Sequence, residues 1–338
     1  MSSPIRVAIV HYHLKRGGVT RVIESTLSGF AASDKDIQAV VLSGEVPDDF
    51  VYSNLARAIP GLRYENAQSH PPSPQALLDS LKETAIAALG VLPDIWHIHN
   101  HSLGKNTAMA GLISLLAKEG AAMLLQMHDF AEDGRPTNYQ LIQSASIRTD
   151  KLYPKASRVH YAVLNQRDLN HFQQSGVSEE NLHCLPNPVE NDAPIADATR
   201  TREILDDLGA ERLILYPVRA VRRKNFGELL LWAACAEKGE VFANTLGPTN
   251  QNYQAAYQNW RTIAESNQLP IKFSIGENNQ WNLETKPISW VPMSTRLARH
   301  QTSRWLSCMQ RVPKGRSKML VCRTATLMGI FVPVMRQA

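Results

Sequence analysis

The sequence predicts an α/β protein with two Rossmann-like domains of parallel strands that face a cleft. Short apolar runs alternate along the chain with segments whose apolar residues repeat at helical spacing. Repeated strand–helix units of this kind predict parallel sheets covered by helices. A polar segment without periodicity, 190–199, interrupts the series and is typical of a linker. The series restarts beyond it, and 338 residues are enough for two domains.

The first half of the chain carries most of the predicted elements. Each predicted strand is a continuous apolar run, as expected for a parallel strand buried on both faces. The strands are predicted at 5–10, 37–42, 95–99, 122–127, 158–164 and 181–185. Helices are predicted after Gly18, at 74–89, at 106–118, and from an N-cap at Asn165 to just before Gly176.

The second half repeats the pattern more weakly. Strands are predicted at 213–218, 240–246 and 271–275, with helices at 226–237 and 250–267. Ligands of such sheets bind beyond the carboxyl ends of the strands. The loops after strands 1, 3 and 4 of the first half, and after the first strand of the second half, are therefore the expected place for chemistry.

The charge of the chain is concentrated at its end. The formal net charge is +5, but residues 285–338 hold ten Lys or Arg and no Asp or Glu. The preceding residues therefore hold 26 basic and 31 acidic side chains. Because the basicity belongs to the tail alone, no nucleic-acid partner is expected. A frameshift near residue 285 would explain a tail without acidic residues, and a natural basic tail is the alternative.

Neither a membrane span nor a signal peptide is predicted. No apolar run approaches the ~18–20 residues that a spanning helix needs, and the N-terminus lacks the order of regions of a signal peptide. The four cysteines form no CxxC pair, so no zinc site is indicated. A cytoplasmic location is expected, with peripheral membrane contact as an alternative.

The segment YPVRAVRRKN (216–225) is the strongest candidate for a binding site. It follows a buried strand and opens a helix, with Arg219 and Lys224 five residues apart and Asn225 at the helix start. Two cations beside a helix N-terminus suit a diphosphate, because backbone N–H groups and both side chains can donate to it. The alternative is a basic helix cap on the surface.

This arrangement resembles the donor site of family 4 (group 1) glycosyltransferases, which have the GT-B fold. In that family an Arg and, five residues on, a Lys hold the donor diphosphate, and Arg219 and Lys224 match these positions. The resemblance covers about residues 5–275. It implies retaining transfer of a sugar from a nucleotide-sugar donor to a glycan, lipid or small-molecule acceptor, with no metal and no other cofactor.

The resemblance also implies that the two domains have different binding roles. Residues 1–189 correspond to an N-terminal, acceptor-side domain, and residues 190–284 to a nucleotide-sugar domain that is incomplete. Residues 285–338 form the aberrant basic tail.

Gly17 and Gly18 follow the first predicted strand. Two glycines let the backbone turn sharply and approach a ligand closely, and in the resembled family such a loop faces the donor phosphate and the acceptor. A plain strand–helix turn is the alternative. The absence of GxGxxG argues against a dinucleotide-binding dehydrogenase.

His128 ends a buried strand in QMHDFAEDGRP (126–136). The resemblance implies that it contacts the donor sugar. The neighbouring Glu132, Asp133 and Arg135 are candidates for binding acceptor hydroxyl groups. The alternative is a loop histidine that caps a strand end.

The run HIHNH (97–101) admits a metal site as an alternative. His97, His99 and His101 share one face if the strand continues. However, the HxHxDH motif of metallo-hydrolases requires Asp at 101 and His at 102, and this chain has His101 and Ser102. Packing at a strand end is the favoured interpretation of His97.

Asn187 lies in a second motif, LPNPV (185–189). It is interpreted as part of a structural turn near the hinge between the domains.

One part of the family pattern is missing. Family 4 enzymes carry two glutamates separated by seven residues in the second domain, and no such pair lies near Glu284, the last acidic residue. A non-catalytic, degenerate transferase is therefore an alternative. Another GT-B enzyme, such as a nucleotide-sugar epimerase, is a second one.

Overall fold

The computed structural model describes residues 3–65, 71–133, 135–188, 198–248, 253–277 and 334–336. The chain divides into two compact units, Met1–Val189 and Glu190–Ala338. The predicted roles of Glu284 and of the tail lie outside the described residues, apart from a short strand at 334–336. The acceptor-side and nucleotide-sugar roles of the two domains stay predictions.

The first unit is built on a seven-stranded parallel sheet with strand order β3-β2-β1-β4-β5-β6-β7. All six predicted strands are present, and a short one is added at its edge. The strands are β1 Ile5–His11, β2 Ile37–Ser43, β3 Ala56–Ala58, β4 Ile95–His99, β5 Met123–Met127, β6 Val159–Val163 and β7 Leu182–Cys184.

Helices connect these strands and cover both faces of the sheet. The predicted N-cap at Asn165 is confirmed, since its side chain accepts a hydrogen bond from the N–H of Asp168. Two short helices that follow β5 were not predicted. The helices are α1 Gly18–Ala31, α2 Pro74–Leu89, α3 Ala108–Lys118, α4 Pro136–Ser144, α5 Thr149–Leu152 and α6 Gln166–Gln174.

Burial on both faces explains the continuous apolar run of β1. Ala8 and Val10 belong to the larger core cluster on one side of the sheet. Val7 and Ile9 belong to the cluster on the other side, with α1. Alternate side chains of a strand point to opposite faces, so both sets must be apolar.

The strand order reverses at β1. The chain proceeds from β1 through β2 to β3 in one direction, then from β4 to β7 in the other. β1 pairs with β4 in register, with Ile9 opposite His97 and Val10 opposite Ile98. Loops that leave adjacent strands on opposite sides open a crevice at such a switch point.

The second unit has a smaller sheet with strand order β10-β9-β8-β11. Its first three strands are parallel, as predicted, whereas β11 is antiparallel to β8 and was not predicted. The strands are β8 Arg212–Arg219, β9 Glu240–Leu246, β10 Ile271–Lys272 and β11 Val334–Arg336. The helices are α7 Ala198–Leu208, α8 Phe226–Ala233 and α9 Gln254–Ser266.

Two predictions for the second unit are wrong in detail. The predicted linker, 190–199, overlaps α7, which begins at Ala198. This helix buries Ile204, Leu205 and Leu208 against the sheet. These three apolar positions are only a weak periodic signal in a polar segment. The last strand ends early because Ser274 adopts a φ of 55°. Its N–H donates to the Asn244 side chain at 3.0 Å.

Within the described part of the chain, none of the helices combines the length and the apolar character that a membrane crossing requires.

We expect Gly44→Ala to lower the free energy of unfolding by about 1–3 kcal/mol. A Cβ at Gly44 would lie 2.5 Å from the backbone nitrogen of Arg63 and 2.6 Å from the carbonyl oxygen of Tyr12. Neither backbone atom can move away as a flexible side chain would. Urea unfolding measures the effect.

The matched control is Gly29→Ala in α1. A Cβ there meets nothing within 4 Å, so the free energy of unfolding should rise by about 0.5–1 kcal/mol through helix propensity. Equal stability of Gly44→Ala and the unmodified chain would contradict this close packing of β1, β2 and the segment around Arg63.

Candidate functional site

Histidines gather at the carboxyl edge of the first sheet, beside the switch point. His11 ends β1, His99 ends β4, and His128 directly follows β5. The ring centroids of His11 and His99 are 6.1 Å apart, and those of His99 and His128 are 5.2 Å apart in a stacked arrangement. The parallel register of three adjacent strands therefore brings together side chains that are far apart in sequence.

His128 is held in place from several sides. Its Nε2 lies 3.0 Å from Nδ1 of His99, which is fully buried. The Asn187 side chain forms a second hydrogen bond to the ring. The backbone N–H groups of His128 and Asp129 donate to Oδ1 of Asn100 at 2.7 and 3.1 Å. Both the main chain and the imidazole of His128 are thus oriented before any ligand arrives.

The three histidines of the HIHNH run do not form one constellation. The His97 Nε2 lies 2.8 Å from the Gln126 side-chain oxygen, whereas the His101 Nε2 donates to the Leu152 carbonyl at 2.7 Å. Asn100 separates them because its φ of 55° turns the chain out of the strand. Across the described residues, no group of three His, Cys, Asp or Glu has the arrangement to hold a metal ion.

Burial keeps these histidines uncharged. It lowers the pKa of His11 to about 3, with a contribution from the charge of His13. It also lowers the pKa of both His97 and His101 to about 4. At neutral pH each ring is therefore a neutral imidazole that offers one donor and one acceptor.

His128 itself is partly buried, and burial lowers its pKa. The carboxylate of Asp129 and the hydrogen bond with Asn187 oppose this shift. Asp129 forms an ion pair with Arg135 at 2.7 Å. A neutral His128 suits hydrogen bonding to sugar hydroxyl groups, which are both donors and acceptors.

Gly17 and Gly18 lie at the same edge, between β1 and α1. Gly17 has a φ of 176°, which is extended backbone, and Gly18 is not in the left-handed region either, so the turn itself does not require glycine. A Cβ at Gly18 would meet nothing within 4 Å, and Gly17 caps α1 without a side-chain hydrogen bond. The first turn of α1 has no acidic residue, which leaves its N–H groups compatible with an anion.

Arg219, Lys224 and Asn225 lie together in the second unit. Arg219 is the last residue of β8, after a bulge that begins at Tyr216. Lys224 ends a single 3-10 turn, and its carbonyl accepts a hydrogen bond from the Tyr216 hydroxyl. Asn225 has a φ of 54° and starts α8, whose first residue, Phe226, is fully buried. The two cations therefore flank the N-terminus of a helix anchored in the core.

Two residues that hold loops in place at the carboxyl ends of the strands were not identified from the sequence. Asn100 joins the loops after β4 and β5 through its side chain, and the Tyr12 hydroxyl donates to its carbonyl at 3.1 Å. Glu277 accepts a hydrogen bond from the N–H of Gly247 at 2.7 Å, at the carboxyl end of β9. Asn100 lies within the HIHNH run, but only its histidines were considered there, and the one signal near Glu277's partner is the turn signal Gly247-Pro248 after a strand.

A groove of about 1010 Å³ opens beyond His128 in the first unit. Its apolar surface comes from Phe130, Tyr153 and Phe172, and Glu132 and Asp133 stand on its margin. Arg135, the third residue predicted to bind acceptor hydroxyl groups, forms an ion pair with Asp129, and its predicted role stays a prediction.

The sequence is similar to that of mannosylglucosyl-3-phosphoglycerate synthase from Petrotoga mobilis. The identity is 29% over 278 residues, which cover 74% of this chain and 52% of that protein. The chain thus spans about half the length of this curated relative. No protein-family model matches the sequence.

Two solved structures resemble the fold. Anabaena HepE in complex with UDP-glucose has a TM-score of 0.55 and 13% identity, with 80% of this chain and 68% of that chain covered. Sucrose-phosphate synthase from Thermosynechococcus elongatus has a TM-score of 0.51 and 15% identity, with 80% and 70% covered. The predicted GT-B fold is confirmed by these likenesses, and the narrower assignment to family 4 stays a prediction.

We expect the free energy of unfolding to fall as the pH drops from 6.5 to 4. The pKa of His97 is about 4 in the folded chain and about 6.5 in an unfolded one. Between these values only the unfolded state takes up the proton, so His97 alone costs about 1.4 kcal/mol of stability per pH unit.

His97→Gln should therefore unfold with a shallower pH dependence in this window. His171→Gln is the matched control, because it removes a histidine that is exposed on α6. Urea unfolding at several pH values measures both. An unchanged slope in His97→Gln would show that this ring is protonated in the folded state.

Proposed function

We propose that the protein is a family 4 glycosyltransferase that moves a sugar from a nucleotide-sugar donor to an acceptor, with retention of configuration and without a bound metal or other cofactor. The observation that carries this proposal is the placement of Arg219 and Lys224 around the start of α8, at the carboxyl end of β8. The similarity to a synthase whose named product contains two sugars, and to a GT-B protein solved with UDP-glucose, supports it.

The second unit would hold the donor by its diphosphate. In the transfer, the bond between the anomeric carbon and the diphosphate oxygen breaks, and the acceptor oxygen forms a new bond to that carbon. The nucleoside diphosphate leaves with the electron pair and takes up the proton of the acceptor hydroxyl. Arg219 and Lys224 would stabilise the charge that develops there, together with the N–H groups at the start of α8. Their contribution grows as the bond breaks, which is the condition for lowering the barrier.

The first unit would orient the sugar and the acceptor. His128 is a neutral ring, already positioned by His99 and Asn187, and would hydrogen-bond to the sugar. The open backbone at Gly17 and Gly18 would allow a phosphate to approach the first turn of α1. The named product of the Petrotoga relative is a phosphoglycerate derivative, so anionic acceptors belong among those to be tested.

A second candidate function is donor binding without transfer. It is favoured by the absence of a pair of glutamates separated by seven residues near Glu284. Such a protein would bind a nucleotide sugar but leave it intact with every acceptor. Conversion of the donor in the absence of any acceptor would instead indicate an epimerase.

We expect Arg219→Ala and Lys224→Ala each to weaken binding of UDP-glucose by roughly tenfold to a hundredfold, because each removes a charge-assisted hydrogen bond to the diphosphate. Isothermal titration with UDP-glucose and other nucleotide sugars measures the affinity. Release of nucleoside diphosphate in the presence of candidate acceptors measures turnover.

Lys238→Ala is the matched control. It removes the same charge from the same unit but lies at the opposite edge of the sheet, two residues before β9. Its affinity for the donor should match that of the unmodified chain. Unaltered donor binding in Arg219→Ala and Lys224→Ala would sink the assignment of this site.

A further inference from the structure

His99, the last residue of β4, is fully buried and has no contact with a ligand in the proposed function. Its ring centroid lies 4.4 Å from that of His97 and 5.2 Å from that of His128. Its Nδ1 lies 3.0 Å from Nε2 of His128. His99 can therefore act on a ligand only through the ring of His128.

The hydrogen bond between the two rings has two possible directions. Burial lowers the pKa of His99 well below its ordinary value, and it lowers the pKa of His128 as well. The nearby rings of His97, His11 and His128 lower the pKa of His99 further. At neutral pH each of the two rings thus has one N–H and one lone pair. Either His99 donates from Nδ1 to Nε2 of His128, or His128 donates from Nε2 to Nδ1 of His99.

The second nitrogen of His99 distinguishes these two directions. Its Nε2 is buried and has no hydrogen-bond partner among the residues that the structure describes. If His128 were the donor, this Nε2 would carry the proton of His99 as a buried N–H without an acceptor. If His99 is the donor, only a lone pair is left without a partner. Among backbone groups an unpaired buried acceptor is tolerated more often than an unpaired buried N–H, and the same preference makes His99 the donor.

The contact between His128 and Asn187 indicates the same direction. The hydrogen bond with the Asn187 side chain raises the pKa of His128. A hydrogen bond raises the pKa of a histidine when the ring donates it, because donation stabilises the charged form. Since Nε2 of His128 faces His99, Nδ1 is the nitrogen left to donate. Asn187 is exposed, so a ligand oxygen can replace it as the acceptor of this N–H.

We propose that His99 is a positioning residue that fixes His128 in the Nδ1–H tautomer, so that His128 donates a hydrogen bond to an oxygen of the bound sugar and does not accept one. The tautomer follows from contacts within the first unit, whereas the contact with the sugar rests on the proposed function. A hydroxyl, ring or carbonyl oxygen satisfies such a donor. An ammonium group at the same position does not, because it has no lone pair.

The benefit of a fixed tautomer is preorganisation. An imidazole that exchanges between tautomers is able to donate from Nδ1 for only part of the time, and the apparent affinity for the ligand falls by that fraction. His99 removes this loss without touching the ligand itself. Its burial also keeps water from competing for the hydrogen bond between the two rings.

Nitrogen NMR of the full chain with labelled histidines tests the tautomer. The chain has 11 histidines, and the signals of His128 are identified by their loss in His128→Gln. Without ligand at neutral pH, we expect Nδ1 of His128 to resonate as a protonated ring nitrogen and Nε2 as an unprotonated one. A reversed or mixed pattern in the unmodified chain would overturn the inference, whether or not any variant folds.

Two substitutions of His99 separate the hydrogen bond from the bulk of the ring. The amide of Asn can place an N–H near the position of the histidine Nδ1–H, whereas Leu has no donor. His99→Leu should therefore shift both nitrogens of His128 towards the averaged values of exchanging tautomers, and His99→Asn should preserve the original pattern. Thermal unfolding shows whether the variants are folded. Equal patterns in the two folded variants would contradict the assigned role of His99.

His183→Leu is the matched control. It breaks a different pair of stacked histidines, in which Nε2 of His183 lies 3.0 Å from Nδ1 of His160. His183 is exposed on β7, an edge strand of the sheet, so the signals of His128 should not change. A change as large as that in His99→Leu would mean that His99 has no specific effect on His128, and the inference would fail.

A titration with UDP-glucose and with UDP separates this inference from the proposed function, because only UDP-glucose carries the sugar. His99→Leu should weaken UDP-glucose about twofold to tenfold and leave UDP unchanged, and His99→Asn should restore much of the loss. Equal weakening of both ligands would refute the role of His99 in the sugar contact. If no nucleotide sugar binds the unmodified chain, the proposed function fails, while the NMR pattern still decides the tautomer.

Discussion

The parallel pairing of β1 with β4 is the constraint on which the arrangement of the first unit depends. Because Ile9 lies opposite His97, the ends of the two strands fall level, and their loops leave on opposite sides. The histidines at those ends and the start of α1 derive their positions from this register. A shift by one residue would exchange the buried faces of β1 and separate His11 from His99.

Burial of neutral histidines is the second organising feature. A charged imidazole in the core would be costly, so the folded state selects the neutral form, and hydrogen-bond partners orient the rings. Gln126, Leu152 and Asn100 supply such partners for His97, His101 and the backbone of His128. The result is a sheet edge lined by neutral imidazole rings that hydrogen bonds hold in place.

In the second unit, the short connection between β8 and α8 positions the candidate site residues. A bulge at the end of β8 and a left-handed Asn225 turn the chain within a few residues from strand to helix. Phe226 fixes the helix start in the core, where its ring packs 5.0 Å from that of Trp260. Arg219 and Lys224 are thereby held near a rigid helix terminus, although each is on a short connection. This is the local geometry that a diphosphate requires.

Much of the fold was determined by sequence alone, because strands buried on both faces must be apolar throughout and helices must repeat their apolar positions. The six strands of the first unit, the cap at Asn165 and the strand–loop–helix around Arg219 follow from these local rules. Other features required the tertiary structure. The helix at 198–208 depends on a sheet to bury three apolar residues, and the separation of His101 from His97 depends on the backbone of Asn100. His11, His99 and His128 are far apart in sequence, and only the strand order brings them to one edge of the sheet.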